Sequence, residues 1–183
     1  MTPKEKVKIS KFLCLLLRHD PAVGNITVDA HGWASVQEVL RALKNRFAGI
    51  THTSLKEIVA EDDKQRYSFS GHEKCIRANQ GHSFAVDLDL VDVEPPEYLF
   101  HGTSRKTLWM IRRDGILAMT RQFVHLSNDR ETAKVVGNRH GGDPVVILIR
   151  AWDMHASGLS FFRSTNGVWL TNQVPTDYLV FEE

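Results

Sequence analysis

Residues 93–98 read VEPPEY, and the pattern of the sequence changes across this stretch. Pro95 and Pro96 interrupt regular structure, because proline has no backbone N–H and also restricts the residue before it. Before the prolines, apolar residues recur at the spacing of helices, whereas short apolar runs typical of strands follow them. The stretch therefore predicts an α+β fold of two lobes, residues 1–94 and residues 95–183.

The first lobe begins with three predicted helices. Residues 7–18, VKISKFLCLLLR, place apolar side chains on one helical face, and this helix is expected to end before Pro21. The second and third helices are expected to begin at Ser35 and Ser54. A glutamate follows each serine at the spacing of a capping box.

A short hairpin is predicted to follow these helices. Residues 66–70 and 75–78 flank a GHE turn, and the first of the two segments alternates in polarity. Helices followed by a small hairpin resemble a winged helix. That arrangement occurs in nucleic-acid readers and in plain scaffolds, so topology alone leaves both interpretations open.

The second lobe is predicted to be rich in strands. The candidate strands are YLFH (98–101), FVHLS (123–127), VVILI (145–149), LSFF (159–162), GVWLT (167–171) and YLVF (178–181). Helical stretches over residues 107–114 and 129–136 are expected to stop at Gly115 and Gly137. This lobe is therefore expected to be mixed α+β.

Composition excludes several classes of protein. The chain is 42% hydrophobic and 25% charged, a balance typical of soluble globular proteins. We expect no membrane span and no secretory signal, since no long apolar run occurs. Cys14 and Cys75 are too few for a disulfide framework, so we expect reduced thiols in a cytoplasmic protein. The net charge of +1 means that phosphate affinity has to come from a few clustered arginines.

Common nucleotide and metal motifs are missing from the sequence. Neither GxGxxG nor GxxxxGK[ST] occurs, which argues against Rossmann and P-loop nucleotide sites. His72 and Cys75 have a spacing that is vaguely typical of metal ligands, but no second pair completes a set of four. We therefore expect no metal.

The first lobe contains three clusters of polar residues that could take part in chemistry, and the third contains the most hydrogen-bonding groups. Arg18 and His19 end the first helix, where cations also serve as simple caps. Arg66 follows two aspartates and would also fit an ordinary surface ion pair. The stretch IRANQGHS, residues 76–83, is either a polar turn or a loop whose many donors suit phosphate or ribose.

The fourth cluster, His101–Ser104, lies in the second lobe. It follows a strand and is expected to open a helix, and such a turn lets backbone N–H groups approach a pyrophosphate. An ordinary N-cap by Thr103 or Ser104 is the alternative.

Taken in order, these segments resemble the KptA-type tRNA 2′-phosphotransferase family. The matching motifs are KFLCLLLRH (11–19), DAHGW (29–33), DDKQRY (62–67), IRANQGHS (76–83), HGT (101–103), GILAMTR (115–121), VHLS (124–127) and NGVWL (166–170). They extend over nearly the whole chain, and ANQGHS followed by HGT at this separation is a specific signature.

The resemblance implies an N-terminal winged-helix lobe that binds RNA and a C-terminal ADP-ribosyltransferase lobe that binds NAD⁺. It also implies a two-step reaction. An internal RNA 2′-phosphate first attacks C1″ of the nicotinamide ribose and expels nicotinamide. The ribose O2″ then attacks the phosphorus, which releases RNA with a free 2′-hydroxyl and ADP-ribose 1″,2″-cyclic phosphate.

The same motifs imply residue roles. The catalytic residues are Arg18, His19, Arg66 and Arg121. The cofactor-binding residues are His101, Gly102, Thr103, Ser104, His125, Ser127 and Val168. Arg139, in VGNRHGG (136–142), is a further candidate, for the cofactor pyrophosphate. The RNA- or phosphate-binding residues, expected to line the cleft between the lobes, are Arg77, Asn79, Gln80, His82 and Ser83.

Charge explains why arginines, rather than a carboxylate, would serve this reaction. A phosphate monoester carries about −1.5 to −2 charge near neutral pH, so a carboxylate would repel it. Arginines orient the dianion and stabilise the crowded phosphorus of the second step. His19 is the member able to exchange protons at neutral pH, and we expect it to assist proton transfer in the second step.

Two other functions stay open at this point. One is a one-step ADP-ribosyltransferase that acts on nucleic-acid phosphate ends or on protein; the other is a non-enzymatic winged-helix RNA-binding module. Phe123 departs from the family, which often has histidine there, and this casts doubt on a role for an imidazole at that position. We expect a monomer that uses no metal.

Overall fold

Two units divide the chain, Met1–Asp89 and Leu90–Glu183. The computed structural model describes residues 1–140 and 143–181, without the side chain of His140. The division lies slightly before the expected boundary at residues 94 and 95. The reason is local, because Val93 N–H donates to the Phe161 carbonyl at 2.8 Å and Asp92 accepts from Phe161 N–H at 2.9 Å.

The N-terminal unit, Met1–Asp89, combines helices with one small sheet. Its elements are α1 (Pro3–Arg18), β1 (Trp33–Ser35), α2 (Val36–Arg46), α3 (His52–Ala60), β2 (Tyr67–Phe69) and β3 (Cys75–Ala78). The strands form an antiparallel sheet in the order β1-β3-β2. The predicted hairpin of residues 66–70 and 75–78 is therefore confirmed.

The first helix starts earlier than predicted, whereas the second starts after Ser35 as expected but without the predicted capping box. The first helix begins at Pro3, capped by Thr2 and Glu5. Ser35 makes no side-chain cap, and the Glu38 carboxylate instead accepts from the Thr27 N–H at 2.9 Å. The predicted capping box at Ser35 is therefore wrong, because a distant partner takes its glutamate.

The third helix also begins earlier than expected. It starts at His52, where Thr51 and Ser54 form a reciprocal capping box. Ser54 is thus the third residue of the helix rather than its cap, and the predicted box with Glu57 is wrong. The helices nonetheless bury apolar side chains as expected, with fully buried residues at Leu13, Leu16, Leu17, Val39, Leu43 and Leu55.

The C-terminal unit, Leu90–Glu183, is mixed α+β. Its strands are β4 (Tyr98–Ser104), β5 (Ile116–Leu117), β6 (Val124–Leu126), β7 (Pro144–Arg150), β8 (Phe161–Arg163), β9 (Trp169–Thr171), β10 (Gln173–Val174) and β11 (Leu179–Phe181). Its helices are α4 (Leu108–Asp114), α5 (Arg130–Gly137) and α6 (Ala151–Ala156). The sheets are antiparallel, in the orders β11-β7-β4, β6-β9-β8 and β10-β5.

These elements confirm the α+β class, with some differences in detail. The stop at Gly115 is confirmed, whereas Gly137 is the last residue of α5 rather than the residue after it. The helix α6 was not predicted, because a single turn after a strand carries too few residues to show a periodic pattern. No helix within the described ranges has both the length and the apolar character needed to cross a membrane.

Candidate functional site

Arg18, the last residue of α1, is a buried cation with unused donors. Its side chain is 8% exposed, and its Nε and Nη2 atoms have no hydrogen-bond partner among the described residues. Buried donors without an acceptor are costly, and a guanidinium suits bidentate contact with an oxyanion. An oxyanion would supply the acceptors that these two donors lack. A plain helix cap would not require this burial.

Residues 79–83, NQGHS, form a loop that contacts Arg18 and His19 directly. Ser83 N–H donates to the Arg18 carbonyl at 2.8 Å, and the Ser83 hydroxyl lies 3.2 Å from His19 Nδ1. Gly81 has φ +90°, and a Cβ there would lie 3.4 Å from Arg18 Nη1. The loop thus fixes the end of α1 and lies against its guanidinium.

His82 is the most buried polar residue of this loop. Its side chain is 1% exposed, and neither ring nitrogen has a partner in the described part of the chain. Burial, together with the positive charges of Arg18, His19 and Arg77, lowers the pKa of His82 to about 4. The imidazole is therefore neutral at pH 7.

Arg77 packs on an aromatic residue that the sequence did not single out as functional. Trp33 lies directly opposite Arg77 in the sheet, and the guanidinium carbon is 4.5 Å from the centroid of the indole. Arg77 Nη1 donates to the His31 carbonyl at 3.3 Å, while its Nε is buried with no partner among the residues described. Gln80, the neighbour of these groups in sequence, is half-buried.

Arg66 is held by an acid, as the simpler interpretation expected. One Asp62 oxygen accepts from the Arg66 guanidinium, and the other accepts from the Arg66 N–H at 2.6 Å. The Asp62 side chain is only 8% exposed, so this is not a loose surface pair. Arg66 also lines a groove of about 390 Å³ beside α1 and α3, so its side chain can reach a ligand.

The cluster at His101–Ser104 is a strand, and the predicted strand-to-helix turn is wrong. Residues of β4 pair with β7 from Tyr98 through Ser104, so the backbone is extended at all four positions. Ser104 then caps a 3₁₀ turn by accepting from the Lys106 N–H at 3.4 Å, which confirms the N-cap alternative for that residue. The Thr103 and Thr107 hydroxyls lie 2.7 Å apart.

Gly102 is required by packing. A Cβ at Gly102 would lie 1.6 Å from the Ala133 carbonyl oxygen in α5. A Cβ at Gly137 would lie 2.9 Å from the backbone N of Thr103. The two glycines therefore let α5 lie directly on the backbone of β4. This contact, rather than an approach to a ligand, accounts for glycine at position 102.

His101 and His125 are brought close together. The His101 Nδ1 lies 3.2 Å from the His125 carbonyl, which can only accept, so Nδ1 carries the proton and Nε2 is left as an acceptor. Burial lowers the pKa of His101, against a raising effect of this hydrogen bond. An imidazole with an acceptor at Nε2 suits a ribose hydroxyl.

The remaining predicted residues of this unit lie in turns or near strand ends. Ser127 pairs with Phe100 by two backbone hydrogen bonds of 2.8 and 2.9 Å. Val168 N–H donates to the buried Ser164 hydroxyl at 3.0 Å. Arg139 is exposed in the 3₁₀ turn Asn138–His140, and Arg121 is exposed after a turn whose Ala118 carbonyl accepts its N–H at 3.1 Å.

A possible metal-ligand group lies outside the predicted sites. Ligand atoms of His31, Asp87 and Asp89, all exposed, lie within 4.8 Å of one another. The His31 ring already bonds to the Asp87 carbonyl at 3.0 Å. Exposed acidic groups are common without an ion, so we assign no metal to them.

Comparison with known proteins identifies the family. The family model described as RNA 2′-phosphotransferase, Tpt1 / KptA family, matches residues 4–173. A probable RNA 2′-phosphotransferase of Nostoc punctiforme is 47% identical over 180 residues, 98% of each chain. One of Acaryochloris marina is 45% identical over 172 residues, 94% of each chain. One of Herpetosiphon aurantiacus is 42% identical over 182 residues, the full length of both chains.

These matches confirm the resemblance found in the ordered motifs, and relatives named for a transferase activity confirm that the chain is related to enzymes. The chain therefore belongs to the Tpt1/KptA family of RNA 2′-phosphotransferases.

Proposed function

We propose that this protein is an NAD⁺-dependent RNA 2′-phosphotransferase that moves an internal RNA 2′-phosphate onto NAD⁺ in two steps. The observation that carries the proposal is the buried Arg18 guanidinium, whose Nε and Nη2 donors have no partner in the described chain. A phosphate monoester supplies the acceptors and the negative charge that these donors lack.

In the first step, the 2′-phosphate oxygen forms a bond to C1″ of the nicotinamide ribose, and the glycosidic bond to nicotinamide breaks. Arg18 and Arg66 orient the phosphate and offset part of its charge. The role of Arg121 rests on the motif GILAMTR, and the residue lies in the C-terminal unit.

In the second step, O2″ attacks the phosphorus, and the bond from phosphorus to the RNA O2′ breaks. The proton of O2″ has to leave, and the RNA O2′ has to gain one. His19 is exposed, and the Ser83 hydroxyl lies 3.2 Å from its Nδ1. This contact orients the ring, so Nε2 is the nitrogen that exchanges the proton.

NAD⁺ is assigned to the C-terminal unit, as the ADP-ribosyltransferase lobe of residues 95–183. The neutral His101, with Nε2 as an acceptor, would take a ribose hydroxyl, and His125, Thr103, Ser104, Ser127, Arg139 and Val168 complete the proposed set. Gly102 faces α5, so its contribution to this set is to let β4 pack closely against that helix rather than to contact the cofactor.

The N-terminal unit is assigned to RNA as a winged-helix lobe of residues 1–94. The support is the order of its elements, which is α1, β1, α2, α3 and then the β2–β3 hairpin. The three strands form one sheet. Arg18, Arg77 and His82, which have buried nitrogen atoms without a partner among the described residues, lie in this unit.

The test is a product analysis with a short RNA that carries one internal 2′-phosphate. The proposal expects NAD⁺-dependent loss of the phosphate, with nicotinamide and ADP-ribose 1″,2″-cyclic phosphate released. A stable ADP-ribosylated RNA without cyclic phosphate would identify a one-step transferase instead. RNA binding with no consumption of NAD⁺ would identify a binding module.

The variant His19→Ala separates the two steps. Because the proposed role of His19 belongs to the second step, ADP-ribosylated RNA should accumulate with this variant. Equal slowing of both steps, with no intermediate, would remove the assigned role.

A further inference from the structure

We infer that Asn79 is a positioning residue for Arg66 and makes no contact with RNA. The inference rests on the proposed function of Arg66, and it changes the role that the motif ANQGHS gave to Asn79. It starts from burial, since Asn79 is 4% exposed although it lies among residues expected to bind phosphate.

The hydrogen bonds of Asn79 are all made inside its own unit. Its side-chain Nδ2 donates to the Gln65 carbonyl at 2.6 Å, and its Oδ1 accepts from the Ser68 hydroxyl at 2.7 Å. Its backbone N–H donates to the Arg66 carbonyl at 2.8 Å. Both polar atoms of the side chain are therefore in use, and two of the three bonds reach the peptide groups that flank the Arg66 α-carbon.

The backbone at Gln65 needs this support. Gln65 has φ +44°, a left-handed conformation that costs a residue with a side chain about 1 kcal/mol or more. The bond from Asn79 to the Gln65 carbonyl fixes the orientation of the peptide that leads into Arg66. On the other side, Asp62 accepts from the Arg66 N–H at 2.6 Å. Asn79 and Asp62 together clamp the main chain of Arg66.

The next residue is anchored without Asn79. The Tyr67 hydroxyl donates to the Ser10 carbonyl at 2.8 Å, and it also lies 3.1 Å from Cys14 Sγ. The start of β2 therefore stays attached to α1 when Asn79 is changed. Loss of the Asn79 side chain should leave the peptide before Arg66 held by Asp62 alone, so that it can shift, and leave the strand after it in place. A displacement of about 1 Å in an orienting group can lower a rate by about 100-fold.

The experiment compares four variants. Asn79→Asp keeps the size of the side chain and its acceptor for Ser68 but removes the donor to Gln65, and Asn79→Ala removes both. Ser68→Ala removes only the Ser68 hydroxyl, and Tyr67→Phe removes a buried hydrogen bond of the same strand that does not reach Arg66. Melting temperature, kcat and KM for RNA are measured for each.

We expect Asn79→Asp and Asn79→Ala to lower kcat by between about 10-fold and 100-fold, with KM for RNA within about 2-fold. Ser68→Ala and Tyr67→Phe should keep kcat within about 3-fold, even where the melting temperature falls as much as in the Asn79 variants. Should Asn79→Asp not fold, Asn79→Ala answers the same question, since it introduces no buried charge.

A double mutant completes the test. In an Arg66→Ala background, Asn79→Ala should cause little further loss of kcat, because the residue it positions is already gone. A raised KM with kcat intact, together with weaker binding of the same RNA without its 2′-phosphate, would mean that Asn79 contacts RNA and would overturn the inference. If Asn79→Ala is fully active and Arg66→Ala is inactive, the inference about Asn79 is overturned, while the role proposed for Arg66 stands. A fully active Arg66→Ala would also remove the role proposed for Arg66.

Discussion

The two units hold their candidate residues in different ways. In the N-terminal unit, the 79–83 loop surrounds cationic and polar groups, and Arg18 and His82 keep buried nitrogen atoms without partners in the described chain. In the C-terminal unit, the residues of the HGT motif lie in a paired strand, and Gly102 is covered by α5. A motif with unsatisfied buried donors points to a ligand. A motif packed backbone against backbone is explained by the fold, and its presence in a site needs separate proof.

Two glycine variants test this difference between the units most directly. Gly102→Ala places a Cβ 1.6 Å from the Ala133 carbonyl oxygen, so α5 has to move away from β4. We expect a loss of unfolding free energy of about 4 kcal/mol or more, measured by denaturant titration. Gly81→Ala, at φ +90°, should cost about 1–2 kcal/mol and leave a folded protein with a displaced Arg18 and lowered activity.

The opposite pattern would reverse the interpretation of the two glycines. A Gly102→Ala protein of normal stability that loses only NAD⁺ binding would give this glycine the ligand-approach role that the sequence indicated. A Gly81→Ala protein with full activity would show that the loop does not need to lie against Arg18.

Arg18→Lys should give the next largest effect. Lysine keeps the charge but loses the planar fork of donors, so we expect activity to fall by about 100-fold to 1000-fold with the melting temperature nearly unchanged. The matched control is Arg46→Lys, because Arg46 also ends a helix, α2, and is exposed. If Arg18→Lys stays as active as Arg46→Lys, Arg18 is only a helix cap.

His82 should make the stability of the N-terminal unit depend on pH. Its pKa falls from an ordinary value of 6.5 to about 4 on folding, so between these pH values the unfolded chain holds the extra proton. Unfolding free energy should therefore decrease as the pH falls from 6.5 to 4, by up to about 3 kcal/mol from this group. The checking measurement is the difference between the native protein and His82→Gln at each pH, and a constant difference would contradict the shift.

Phe123→His should give the smallest effect. Phe123 packs edge to face on Phe162, with ring centroids 5.6 Å apart. Placing histidine there should lower the unfolding free energy by about 1 kcal/mol and leave kcat and KM for NAD⁺ within about 2-fold. A marked gain in activity would show that an imidazole at this position takes part in the reaction after all.

The parts of the fold that the sequence predicts are those with a local cause. The β2–β3 hairpin and the stop of α4 at Gly115 follow from alternation and from a glycine after a helix, and both are present. The capping boxes predicted at Ser35 and Ser54 fail for different reasons, one because of a partner more distant in the chain and the other because of a local residue. Glu38 bonds to Thr27, and Thr51 takes the cap of α3.

The candidate site shows the same division. The motifs predict Arg18, His19, His82 and Ser83 as site residues, and the fold brings these residues together in the N-terminal unit. The motifs do not distinguish a residue that contacts a ligand from one that supports it. Asn79 and Gly102 both lie in the most specific motifs, and burial and packing give them structural roles. The sequence indicates only a surface ion pair for Asp62, because it carries no signal for the burial of this carboxylate.

The contact between Gly102 and α5 also affects how random mutagenesis of this protein should be interpreted. A selection for activity would score every substitution at position 102 as inactive, and substitutions at Gly137, whose Cβ would lie 2.9 Å from Thr103, should be scored similarly. Both positions would then be marked as essential next to residues proposed to bind a ligand, such as His101. Measuring the abundance of each variant together with its activity would separate them, since these glycine variants should disappear from the soluble protein.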